Sequence, residues 1–163
     1  MKRIGLIVAC VVATMSMSAQ KFGHIYSDSL LQIMPEYSDA QVQLKSLSDE
    51  FQKAIEQKEA ELQTKYDDYV QNGQDLPAAI KQNRENEIQS LQQNLQQFAV
   101  SIQDELDKEQ QALIAPILEK ARLAIEAVGK KNGFTYVFDA SMGILLFENG
   151  ENIMPLVKTE LGL

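Results

Sequence analysis

The sequence has little of what most chemistry needs. Its 163 residues include one cysteine, one histidine and no tryptophan. The cysteine, Cys10, sits in an apolar leader, so the chain beyond residue 19 has none. Disulfides, thiol chemistry and cysteine-based metal sites are excluded for that part. A thiol-free chain suits an oxidising compartment, where an unpaired thiol is a liability. His24 has no second histidine or cysteine to join, and it lies in a strand-like stretch. It reads as a structural or exposed group rather than a catalytic base. There is no glycine loop to cradle phosphate, no Ser/His/Asp set and no metal-ligand spacing. The expectation is a protein that is not an enzyme and uses no cofactor.

Long hydrophobic runs are missing too. Ile4 to Met15 carries no charge, but it is too short to span a bilayer. It follows Met1-Lys2-Arg3 and precedes Ser16-Met17-Ser18-Ala19. A basic start, a short apolar core and small residues predict a secretory signal over residues 1–19, cleaved after Ala19 with Ser18 as the rival. Ile7-Val8-Ala9-Cys10 loosely resembles a lipoprotein cleavage box. The short core before Cys10, and the apolar run after it, weigh against that reading.

What the chain has is acidic charge, unevenly spread. Beyond the leader there are 13 basic and 23 acidic residues. Residues 36–112 hold 7 basic and 16 acidic residues, net −9, and the remainder is net −1. Clustered Lys and Arg, which phosphate contacts need, are absent, so a nucleic-acid partner is not expected.

The acidic region is helical in pattern. Leu44, Leu47, Phe51, Ile55, Leu62, Tyr66 and Tyr69 recur at threes, fours and sevens, giving one narrow apolar stripe. Lys58 and Lys65 interrupt it. Residues 72–77, Asn-Gly-Gln-Asp-Leu-Pro, break the pattern. Asn72-Gly73 predicts a left-handed helix stop, and Asp75 and Pro77 predict the next helix start. A second stripe follows with Ile80, Ile88, Leu91, Leu95, Phe98, Ile102, Leu106, Leu113 and Ile117. It continues to about Val128, and Pro116 inside it should kink or briefly break the helix. Two facing stripes across a tight turn make an antiparallel helical hairpin.

The flanks differ. Lys21 to Tyr26 reads as a strand, and Ser27-Asp28-Ser29 offers N-cap chemistry for a helix ended by Pro35. Phe134, Tyr136 and Phe138 alternate with Thr135 and Val137. Asp139 to Gly143 reads as a turn and Ile144 to Phe147 as a second strand, making an apolar β-hairpin. Asn152 can cap a last short helix. Strands apolar on both faces are covered on both faces, yet so small a unit is marginal alone. Burial between subunits follows as the expectation. Phe134, Tyr136, Phe138, Ile144, Leu146 and Phe147 are the candidate oligomerisation residues.

Three stretches resemble the Skp/OmpH family of periplasmic chaperones. They are Gly23-His24-Ile25-Tyr26-Ser27-Asp28-Ser29-Leu30-Leu31, the long helical hairpin, and Gly133-Phe134-Thr135-Tyr136-Val137-Phe138-Asp139 with Gly143-Ile144-Leu145-Leu146-Phe147 and a closing helix. The resemblance implies a mostly α fold with a small β body. A long antiparallel helical-hairpin (coiled-coil) arm would project from a β-rich trimerisation body in a jellyfish-like trimer. The body would comprise residues 20–35 and 113–163, and the arm residues 36–112 with its tip at 72–77. It also implies an ATP-independent holdase in the periplasm that binds unfolded outer-membrane β-barrel proteins in a cavity between arms. Phe51, Tyr66, Tyr69 and Phe98 are candidate client-binding residues, although each first packs the arm seam. Pro116, near the arm root, is the candidate hinge. Arms of net −9 argue against a lipopolysaccharide site or strong attachment to anionic membrane, because Lys65, Lys81 and Arg84 form only a diluted basic cluster. Asp67-Asp68 and Glu59/Glu61 lack the ordered loop of a calcium site and read as solvated helix faces. The alternative function is a coiled-coil scaffold of the envelope without chaperone activity.

Overall fold

The computed structural model describes residues 20–73 and 75–163. The predicted signal segment and Cys10 lie outside the described residues. Among the described residues, three strands and four helices follow one another. They are β1 (Phe22–Ile25), α1 (Ser27–Ile33), α2 (Pro35–Asn72), α3 (Ala78–Lys131), β2 (Tyr136–Asp139), β3 (Glu151–Asn152) and α4 (Met154–Leu161). They divide into two compact units. One holds described residues 20–31 with 120–163, and the other holds residues 32–119.

In the first unit β1 is the central strand, with β2 and β3 on either side. Both pairings are parallel, with Phe22 opposite Tyr136, His24 opposite Phe138 and Gly23 opposite Glu151. This corrects the expected β-hairpin. A parallel neighbour needs a long crossover, and the residues from α1 through α3 supply it between β1 and β2. Ile144 to Phe147 is not a strand; the third strand is the short β3 further on. The continuous apolar run Ile144 to Phe147 imitates a buried strand, but it pairs with no strand among the described residues.

Local chemistry sets the ends of the elements. After α3, Gly133 takes a left-handed φ of 68°. Phe134 N–H then donates back to the Gly129 carbonyl at 3.0 Å, closing the helix end. Asn152 Oδ1 accepts from Met154 N–H at 2.9 Å, so it satisfies the first amide of α4 from one residue before the N-cap, Ile153, which makes no side-chain cap bond. The expected local cap of α1 is not what holds it. Ser27 Oγ and N–H both donate to the Asp139 carboxylate, at 2.5 and 3.3 Å, and Asp28 N–H donates to Ser141 Oγ at 3.1 Å. The cap arrives from the end of β2, more than a hundred residues along the chain. On its own, burial would push the Asp139 carboxyl up. The hydroxyl and amide donors of Ser27 and Ser141 outweigh it and hold the carboxyl below its ordinary value. Ile25, Leu30, Val128, Ile153 and Val157 fill the core of this unit, each at most 2% exposed.

The second unit carries the two long helices. The 38 residues of α2 give a length of roughly 57 Å at ~1.5 Å per residue. Contacts between the helices run in opposite directions along the two sequences. The Lys58 ammonium lies 5.0 Å from the Phe98 ring centre, Lys65 pairs with Glu87 at 2.7 Å, Asp68 pairs with Arg84, and the Tyr69 hydroxyl donates to Glu85. The hairpin is therefore antiparallel, as its stripes predict. At the turn Gly73 is right-handed, with φ −76° and ψ −19°, and its N–H donates to the Tyr69 carbonyl. This corrects the expected left-handed stop. Glycine fits here for space, because a Cβ on Gly73 would sit 2.2 Å from the Tyr69 carbonyl oxygen. The helix α3 continues without a break through Pro116.

Candidate functional site

One face of the sheet is an aromatic ladder. Residues two apart on a strand share a face, so Phe22, Tyr136 and Phe138 come together. Phe22 and Tyr136 stack with ring centres 6.1 Å apart and planes 9° apart. Phe138 stands 6.1 Å from Tyr136 and 6.3 Å from Phe22. All three rings are exposed. Beyond them Leu146 is 100% exposed and Phe147 82%. A cavity of about 560 Å³ opens beside the ladder, lined in part by Phe22, His24, Phe138, Leu145 and Phe147.

His24 borders that cavity and is buried. Its Nδ1 has no hydrogen-bond partner among the described residues, and its Nε2 lies 3.8 Å from Glu148 Oε2. The Tyr26 hydroxyl donates to the same carboxylate, which pushes the tyrosine pKa up. Glu148 thus ties the segment after Phe147 to β1. Phe134 is placed differently from the other aromatic candidates. It is half-buried, it packs where a Cβ on Gly23 would come within 2.9 Å of its ring, and the Lys21 ammonium lies 3.9 Å above it. Gly23 is therefore required by the close approach of Phe134.

Along the helical hairpin every predicted seam residue is at least half-buried except Tyr66 and Ile80. Phe51, Tyr69 and Phe98 lie in the seam, whereas Tyr66 is 50% exposed. Three polar contacts between the helices, Lys65 with Glu87, Asp68 with Arg84 and Tyr69 with Glu85, lie near the turn. Asn72 also donates to Asp68 at 2.7 Å. The hydrogen bond from Asn72 outweighs burial and, with the charges of Arg84 and Lys65, holds the Asp68 carboxyl below its ordinary value. Glu87 raises the Lys65 pKa, and the hydrogen bond to Glu85 raises that of Tyr69. No group of three or more His, Cys, Asp or Glu residues that could hold a metal ion occurs among the described residues. No described helix is long and apolar enough to cross a membrane.

The family model for Outer membrane protein (OmpH-like) matches residues 21–161, taking in both the sheet and the helical hairpin. The chain belongs to the OmpH-like family. A crystal structure from Caulobacter crescentus, described as that of a candidate outer membrane chaperone (OmpH-like), superposes with a TM-score of 0.76. It is 11% identical, and the match covers 88% of this chain and 85% of that one. At that identity the likeness is one of fold. No curated protein matches the chain in sequence.

For this OmpH-like protein, sequence reasoning passes over three residues that organise the sheet unit. Phe22 completes the aromatic ladder, and its signal is its place two before His24 in a strand. Asp139 caps α1, and Glu148 draws the segment after Phe147 toward β1. Neither carboxylate has a local sequence signature, because each partner lies more than a hundred residues away.

Proposed function

We propose that this protein is a nucleotide-independent holdase of the periplasm that assembles as a homotrimer and keeps unfolded outer-membrane β-barrel proteins from aggregating. The observation that carries this reading is OmpH-like family membership across residues 21–161. The Caulobacter structure described as that of a candidate chaperone shares the fold. Residues 1–19 would direct export and be removed. The sheet unit would gather three copies through Tyr136, Phe138, Ile144, Leu146 and Phe147, with Phe134 packed behind them. A contiguous exposed apolar patch of this kind marks a protein contact, and a copy of the same chain satisfies it with fixed shape. The helical hairpin would hold the client, with Phe51, Tyr66, Tyr69 and Phe98 offering aromatic edges and Pro116 serving as hinge.

Holding needs no nucleotide. An unfolded β-barrel chain presents apolar side chains at alternate positions, and each segment binds weakly. Several hairpins around one chain raise the effective concentration and make the sum strong. Release follows when the client reaches a more stable fold in the membrane. The test is a pair of measurements on the protein without its leader. Light scattering is expected to give three times the chain mass. Trimer at one or more per client chain is expected to suppress light scattering by an outer-membrane β-barrel protein diluted from urea, without ATP. A variant with the hairpin shortened to a few turns should keep the trimer and lose the protection. Retained protection in that variant would remove the holdase reading and favour an envelope scaffold.

A further inference from the structure

We propose that the client-binding surface of the helical hairpin is a glutamine-lined band of low net charge at mid-length. It comprises residues 88–103 of α3 with Tyr66 and Tyr69 of α2. Its occupant is an extended segment of an unfolded, acidic β-barrel chain that lodges an aromatic side chain against the two tyrosines. This rests on the holdase reading above and adds to it a place and a chemistry.

The first observation is charge. Residues 88–103 form a sixteen-residue window with no Asp, Glu, Lys or Arg and with six glutamines. The inter-helix contacts place this window opposite residues 52–67, which carry three basic and four acidic residues. That band of the hairpin is net −1. Residues 36–51 with 104–112, towards the root, are net −6, and residues 68–87, towards the turn, are net −2. An acidic chain is repelled least at the middle, and like charge juxtaposed elsewhere costs affinity.

The second observation is shape. Two cavities on the hairpin surface are lined mostly by this window and the two tyrosines. One, of about 380 Å³, is lined by Tyr66, Tyr69, Glu85, Ile88, Gln89 and Gln92. The other, of about 350 Å³, is lined by Gln96, Gln97, Val100, Ser101 and Asp104. Each is comparable in volume to the smaller ligand clefts of about 300 Å³ and above. Gln89, Gln92, Gln96, Val100 and Gln103 recur at helical spacing, so one exposed face joins the two cavities. From Gln89 to Gln103 it runs for roughly 21 Å at ~1.5 Å per residue. That is about six residues of extended chain at ~3.3 Å each.

The third observation is hydrogen-bonding capacity. Gln89, Gln92, Gln93, Gln96 and Gln97 are exposed and carry no hydrogen bond to other described residues. Each amide offers two donors and an acceptor. It can pair with a client's peptide N–H or C=O whatever the client's sequence, which a chaperone for many clients needs. Tyr69 is oriented by its bond to Glu85, while the Tyr66 ring is half open to solvent. The tyrosines supply offset or edge contacts for an aromatic ring, and β-barrel strands carry such rings at both membrane interfaces.

The experiment uses the trimer and an acidic eight-stranded β-barrel protein diluted from urea as probe. The Gln89→Glu/Gln92→Glu/Gln96→Glu variant keeps size and helix propensity and adds only charge. Its Kd for the probe should rise about tenfold at low ionic strength and recover toward the parent value in high salt. Gln41→Glu/Gln43→Glu/Gln110→Glu adds the same charge outside the band and should shift Kd less than about twofold. A photo-crosslinker at Gln92 or Val100 should capture the probe, and one at Val42 should not. If the parent binds and the band variant binds equally, or if Val42 crosslinks as well as Val100, the band is not the site and the holdase reading survives. If the parent binds no unfolded chain, both readings fall.

Discussion

In the sheet unit, Ile25, Leu30, Val128, Ile153 and Val157 are at most 2% exposed while Phe22, Tyr136 and Phe138 stand open on the sheet. In the helical unit most seam residues are partly covered. Of the seam stripes only Ile102 and Ile117 are buried, each 7% exposed. Two helices meet along a line, so most seam side chains keep a flank in solvent. A three-stranded sheet covered on one side can bury that side completely and leave the other bare. The first arrangement spreads weak apolar sites along a surface that many partners could use. The second concentrates apolar area in one rigid patch, which suits one partner of matching shape.

The strongest challenge to that contrast is a charge on the bare ladder. If the proposed trimer is built on this ladder, Phe138→Asp should leave monomers, because an unpaired carboxylate buried at a contact costs several kcal/mol. Light scattering gives the mass, and far-ultraviolet circular dichroism gives helicity in the same samples. An unchanged mass would mean that the ladder is not the contact between copies. The paired control, Val100→Asp on the exposed face of α3, should leave the mass as it was.

Truncation in the two regions gives the next effect. Ile153, which is fully buried, should lose about 2–5 kcal/mol on Ile153→Ala in urea unfolding. Leu95→Ala, at a half-buried seam position, should cost no more than about half of that, since less surface leaves water and no closed cavity forms. Equal losses would show that the seam is as tightly packed as the sheet core.

Much of this architecture is legible in the sequence, and the parts that are not have identifiable reasons. The hairpin is legible because a seam of two long helices is a local pattern, repeated many times from Leu44 to Ile117. The strand at Phe22 and the helix-start acceptor at Asn152 are legible because their signals are a few residues wide. Ile144 to Phe147 misleads because a short, wholly apolar run reports only what a segment could pair with. It does not report whether an edge is present in the same chain. Parallel pairing of β1 with β2 is hidden because register across more than a hundred residues leaves no local mark. Of the candidate site residues, Tyr136, Phe138, Leu146 and Phe147 do stand exposed. Phe134 is turned inward by the space at Gly23, which no pattern announces.

Asp139 tests the same long-range closure with a smaller effect. Asp139→Asn removes the charge that accepts from Ser27 and should cost about 1 kcal/mol, the usual scale of a helix cap. The sign of its pH dependence follows from the lowered folded pKa. The contribution is fully present above the unfolded carboxylate value, near pH 4, and is lost as pH falls through the folded value. The stability gap between parent and variant should therefore narrow below about pH 4. A gap independent of pH would assign the loss to altered packing.

The smallest effect is expected at the turn end of the hairpin, where charge replaces apolar contact between the helices. Arg84 pairs with Asp68, which also accepts from Asn72, and Lys65 pairs with Glu87 nearby. Exposed pairs gain little, because water screens them and ordering two long side chains opposes the attraction. Arg84→Gln should therefore barely move the thermal midpoint of the whole protein. It should instead loosen the turn locally, since local opening draws on the least stable part of a structure. Amide exchange near Asn72 and Leu76 should quicken in Arg84→Gln, and added salt should quicken exchange in the parent by weakening the same pairs. The ladder and core variants should leave exchange at the turn unaltered as long as the hairpin stays folded. A large fall in global stability from Arg84→Gln would mean that the turn holds the hairpin together. The half-buried seam would then be a consequence of that clasp, and the two regions would differ less than their burial implies.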